Sequence, residues 1–115
     1  MQAENGSERK SRIDAAFTAL ILGGACVDDE AVSRALDTLL AKRPNLTILI
    51  GDTLSGIGPA AFRWAVGNKR PVISDPRGPD VLVHYLPSGA VAFPGADTSE
   101  ADRAEIRVWW PAGRG

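Results

Sequence analysis

Apolar residues fall along this chain in short unbroken runs that alternate with segments of three-and-four spacing. Phe17 and the run from Ala19 to Leu22 end at Gly23-Gly24, and Leu46 to Ile50 ends at Gly51. Short continuous runs closed by glycine predict strands covered on both faces. Between them, Ala31, Val32, Ala35, Leu36, Leu39 and Leu40 recur at helical spacing, which predicts an amphipathic helix. Asp28, Asp29 and Glu30 complement its N-terminus, Lys42 and Arg43 its C-terminus, and Pro44-Asn45 stop it.

The alternation continues. Pro59 suits the first turn of a second helix that runs through Phe62, Trp64 and Val66 to Gly67. Residues 71–74 read as a short third strand and residues 75–80 as turn. The segment 81–85 (VLVHY) is compatible with a further strand, and 90–93 (AVAF) reads as one closed by Pro94-Gly95. Asp97, Thr98 and Ser99 offer N-caps for a short helix to about residue 104, and 106–110 (IRVWW) reads as a last strand. Strands joined through helices pair in parallel. The prediction is an α/β fold: a three-layer, Rossmann-like open sheet, mostly parallel, of about five strands with helices on both faces.

Composition narrows the setting. Residues 1–12 are nearly free of apolar side chains and read as a disordered tail. Residues 13–111 read as one domain and residues 112–115 as a frayed end. Charged residues make up 23 % and the formal net charge is −1, so neither nucleic acid nor an anionic membrane is implied as an obligate partner. No apolar stretch approaches the ~20 residues of a membrane span, and no charged-then-apolar leader with a cleavage site is visible at Met1. Cys26 is the only cysteine, which excludes an internal disulfide and suits a reducing compartment. A cytoplasmic location is therefore expected.

In open parallel sheets, ligands sit at the carboxyl ends of strands, where loops enter helices. Three junctions qualify: Gly23 to Asp29, Gly51 to Gly58 and Pro94 to Ser99. Helix N-termini present N–H groups without intrahelical partners, and glycine lets an anion approach the main chain. Glycine also simply ends strands and opens turns, so both readings stand. The candidate ligand-binding residues are Gly23, Gly24, Gly51, Asp52, Thr53, Ser55, Gly56, Gly58, Pro94, Gly95, Thr98 and Ser99. Asp52 and Asp102 are the candidate catalytic carboxylates. Neither a metal nor a cofactor is implied: Asp28 and Asp29 read as helix caps, and Ser99 with Asp102 as a capping box. Cys26 reads as a small filler at a strand-to-helix entry, His84 as packed in an apolar run, and Trp64 as packing its helix on the sheet. Trp109-Trp110 hint at a partner surface, including a homodimer.

The stretch from residue 19 to residue 65 resembles the YspA/cpYpsA-related branch of the SLOG superfamily. Gly23-Gly24, the Ala35-Leu36-Asp37 helix, Gly51, Gly56 and Trp64-Ala65 carry the likeness. Residues 91–102 (VAFPGADTSEAD) are similar to the Pro-Gly-Gly-x-Gly-Thr loop of the wider superfamily, which includes the Lonely-Guy phosphoribohydrolases. The resemblance spans roughly residues 17–104. It implies a Rossmann-like module that binds a nucleotide or nucleotide-derived ligand. The alternatives are an N-glycosidic hydrolase of nucleoside monophosphates and a degenerate scaffold or oligomeric interaction protein. The family's arginine and aspartate after the first glycines are Ala25 and Cys26 here, and its Gly-Ala-Asp triplet reads Gly56-Ile57-Gly58. Ala96 and Thr98 stand for two later glycines, Ser99 for the threonine, and Asp102 for the phosphoribohydrolase glutamate. The resemblance therefore implies binding ahead of catalysis.

Overall fold

The computed structural model describes residues 15–24, 27–54 and 56–111. The tail expected at 1–12, the frayed end expected at 112–115, Ala25, Cys26 and Ser55 lie outside the described residues. In chain order the elements are β1 (Phe17–Leu22), α1 (Asp29–Lys42), β2 (Leu46–Ile50), α2 (Gly58–Gly67) and β3 (Val72–Ser74). They continue with α3 (Pro79–Leu82), a 3-10 turn (Val83–Tyr85), β4 (Gly89–Ala92), α4 (Ser99–Arg103) and β5 (Val108–Trp109). The five strands form one sheet in the order β3-β2-β1-β4-β5, and every pairing is parallel. The expected α/β open sheet with helices on both faces is what the chain forms.

β1 is central. Leu20 lies beside Leu49 of β2 and Ala90 of β4, and Ala19 to Leu22 are all buried. Because successive side chains point to opposite faces, Ala19 and Ile21 enter one core while Leu20 and Leu22 enter the other. The first core is closed by Val32, Ala35 and Leu36 of α1 and by Ala61, Trp64 and Ala65 of α2. The second is closed by Leu82 of α3 and Ala101 of α4.

Two polar contacts tie α1 to α2. Trp64 Nε1 donates to Asp37 Oδ1 at 2.9 Å, and Arg63 forms an ion pair with Asp29. Asp28 caps α1 by accepting from the Glu30 N–H, as expected, whereas Asp29 opens the helix and pairs with Arg63 instead of capping it.

Segment 81–85 is helical, not a strand. Gly78 has φ 121 and turns the chain, and Pro79 occupies the first turn of α3, where its fixed φ is already helical. Of 81–85, only Leu82 is buried, which fits one helical turn laid on the sheet and not a strand inside it. His84 consequently stands exposed on the 3-10 turn, outside any apolar packing.

Leu20 is fully buried and Leu86 is 84 % exposed. Leu20→Ala is expected to lower unfolding free energy by about 2–5 kcal/mol, and Leu86→Ala by less than about 0.5 kcal/mol. Denaturant titration of the two variants checks this contrast.

Candidate functional site

The carboxyl ends of the parallel strands share one edge of the sheet, and the three glycine-bearing junctions lie along it. They converge on Gly23. A Cβ at that position would stand 3.1 Å from Phe93 Cβ, just past β4, and 3.3 Å from Ile57 Cβ at the entry to α2. Beside it, Gly24 N–H donates to Pro94 O at 3.0 Å. Gly95, at φ +87, packs so closely on Gly24 that an added Cβ would lie 3.1 Å from its Cα. The order of strands places the switch point of the sheet between β1 and β4. Here buried Ile57 and Phe93 fill it, and main chain meets main chain. Packing alone thus accounts for Gly24 and Gly95, and the Gly24 N–H is already used.

The junction after β2 is built differently. Ser74 Oγ donates to Gly51 O at 2.7 Å, holding this end against β3. Asp52 accepts the Leu54 N–H on Oδ1 at 2.8 Å and so turns the loop. Thr53 is half-buried, Gly56 takes the left-handed conformation at φ +68, and Ser55 is outside the described residues. Gly58 opens α2 under the Asp52 carbonyl, which stands 1.6 Å from where a Cβ would be. The N-terminus of α2 has no side-chain cap and no acidic residue in its first turn. α1 has both. Among the described residues, then, neither a capping bond nor a first-turn acid offsets the positive end of the α2 dipole, and Pro59 removes one donor from it.

The third junction meets the first only through Pro94 and Gly95, while Thr98 and Ser99 are engaged within their own turn. Thr98 caps α4 without a side-chain bond, and its Oγ1 donates to Asp102 Oδ2 at 3.1 Å. Ser99 donates from N and Oγ to Asp97 Oδ1, at 3.0 and 2.7 Å, and these bonds hold the Asp97 carboxyl below its usual range. The expected Ser99/Asp102 capping box is therefore replaced by two separate pairs. They form because Asp97 precedes the helix and reaches Ser99 first. Asp102 is exposed and engaged within its own turn.

One cluster on this edge escaped the sequence reading. Asp75, directly after β3, is only 5 % exposed. Its carboxylate accepts from Arg77 Nε at 2.9 and 3.1 Å, from Arg77 Nη2 at 2.5 Å and from the Tyr85 hydroxyl at 2.7 Å. The Arg77 bonds first, then Tyr85, hold the Asp75 carboxyl well below the ordinary carboxylate range. The bond to the Asp75 carboxylate in turn raises the Arg77 guanidinium above its usual value and pushes the Tyr85 hydroxyl up. Asp75 engages Nε and Nη2, while the Arg77 side chain remains 68 % exposed. The result is a cation fixed in orientation after the end of β3, held by Asp75, whose carbonyl lies beside Gly51. An acidic residue two positions before an arginine in a turn, Asp75-Pro76-Arg77, was the available signal.

Among the described residues no group of three or more His, Asp or Glu side chains could hold a metal ion. No described helix is long and apolar enough to cross a membrane. Comparison with protein-family models, curated proteins and solved structures finds no match for this chain.

Two outcomes follow from this geometry. Gly58→Ala sets a Cβ against the Asp52 carbonyl and is expected to destabilise the fold by at least about 1–3 kcal/mol, measured by chemical denaturation, whereas Gly67→Ala, with open space around it, is not. Asp75→Asn is expected to lower the Tm at neutral pH. Because the folded carboxyl titrates below its ordinary 3.8, its contribution is complete above that value and is lost as pH falls through the depressed one. The Tm gap between wild type and Asp75→Asn should therefore shrink between pH 7 and pH 2, and a constant gap would refute the assignment.

Proposed function

We propose that this chain is a Rossmann-like module that binds a nucleotide or nucleotide-derived phosphate, without turning it over, at the carboxyl edge of its sheet. The observation that carries the reading is the pairing of an uncapped α2 N-terminus with the oriented Arg77 guanidinium on neighbouring strand ends. A helix N-terminus and a guanidinium are the two groups best suited to a phosphate. Here Arg77 supplies from β3 the charge that Ala25 lacks in the first junction. The loop residues Gly51, Asp52, Thr53, Gly56 and Gly58 would frame the ligand, and Gly23 and Gly95 would set its inner wall. The SLOG-like spacing of the first two junctions supports a nucleotide over a bare anion.

Binding without catalysis is favoured because both candidate carboxylates have local duties. Asp52 turns its own loop and Asp102 pairs with Thr98. A cytoplasmic setting, suggested by the lone cysteine, belongs to the same proposal.

Thermal shift with a panel of nucleoside mono- and diphosphates tests the reading. Ligand at ten times Kd adds about 1.4 kcal/mol of stability, a rise of several degrees in Tm for a domain of this size. Arg77→Ala should weaken the binding about tenfold, with no free base released by either protein. A flat response at millimolar concentrations of every nucleotide would end the proposal, and release of base would replace it with the hydrolase reading.

A further inference from the structure

The opposite edge of the sheet carries a cavity of about 390 Å³. Its residues come from the starts of strands and the end of a helix: Phe17 at the head of β1, Arg107 and Trp109 at β5, and Leu39, Lys42 and Arg43 on the last turn of α1. The cavity lies where the α1-side core thins toward the edge of the sheet: Val91 of β4 is buried in that core, but Trp109 of β5, beyond it, is only partly covered. Trp109 pairs with Val91 in register, so its ring lies on the same face as the α1-side core and remains 38 % exposed. Phe17, Leu39 and Trp109 give the cavity an apolar wall.

Its charge is one-sided. No Asp or Glu lines the cavity, while Lys42, Arg43 and Arg107 do. None of these three has a carboxylate partner among the described residues, although four other arginines form ion pairs. Arg43 lies over the Phe17 ring, 5.0 Å from its centroid, an arrangement that directs a cation to an aromatic face. The C-terminus of α1 brings about half a negative charge, which three full positive charges outweigh. In a chain with net charge −1 this is a local concentration of cations around an apolar hollow.

We infer that this cavity is a second ligand site, which takes a small amphipathic organic anion: an aromatic or aliphatic body against Phe17, Leu39 and Trp109, and a carboxylate held by Lys42 and Arg107. The volume lies within the ~300–1,000 Å³ of small-molecule sites and is small for a protein segment. The site is independent of the carboxyl edge and of any nucleotide bound there.

Isothermal titration of the whole chain with 2-naphthoate, and with its neutral counterpart 2-naphthamide, tests the inference. Saturable naphthoate binding is expected, at least about tenfold tighter than the amide and weakened by added salt. The Lys42→Gln/Arg107→Gln double variant should lose that preference, while Lys69→Gln, which removes a single positive charge at an exposed turn outside the cavity, should keep it. Light scattering run alongside reads whether a second copy covers this face. No saturable binding, equal affinity for acid and amide, an unchanged preference in the double variant, or a dimer that excludes naphthoate would each overturn the inference.

Discussion

Strand β1 has hydrogen-bonded neighbours on both edges and side chains buried on both faces, and the rest of the fold answers to that constraint. Parallel neighbours cannot be joined by a tight turn, so each connection must climb over a face of the sheet. Ala19 and Ile21 demand cover on one side, and Leu20 and Leu22 demand it on the other. α1 and α2 meet the first demand and α3 and α4 the second. The same arrangement sends every strand-to-helix loop to one edge and every helix-to-strand loop to the other. A single buried strand thereby divides the molecule into two chemically different ends.

The carboxyl end is where glycine and charge meet. Its inner part, around Gly23, Gly24 and Gly95, is occupied by packing: Ile57 and Phe93 fill the crevice, and the Gly24 N–H already has its acceptor. The chemistry moves outward to the ends of β2 and β3. There α2 begins without a cap, and buried Asp75 fixes Arg77 in orientation. The amino end is the reverse, an apolar hollow rimmed by three cations. Under the two proposals, one end would hold a phosphate through main chain and guanidinium, and the other a hydrophobic acid.

Sequence pattern made the strands of the core legible because cover on two faces writes itself as an unbroken apolar run. FTALIL and LTILI can hardly be anything else between glycines and amphipathic helices. VLVHY has the same composition but a different cause. Only its Leu82 is buried, with Val83 packed against the core at its margin, and the preceding Gly78-Pro79 commits the chain to a helical turn. That misreading also concealed the Asp75 cluster. Tyr85 folds back to the Asp75 carboxylate only because residues 79–85 coil; in a strand it would have been carried away. Spacing alone cannot separate Gly58, which sits beneath a carbonyl, from Gly56, which takes a left-handed turn. That distinction depends on which backbone lies opposite, a tertiary fact.

The central claim is that phosphate recognition belongs to the β2 and β3 ends of the carboxyl edge. The most direct measurement is a residue-resolved NMR titration of the isotopically labelled chain with AMP. The expected result is saturable movement of the Gly51, Gly56, Ile57 and Arg77 amides, with Gly89 and Trp109 unmoved. Movement confined to the amino edge, or none at millimolar AMP, would contradict the account.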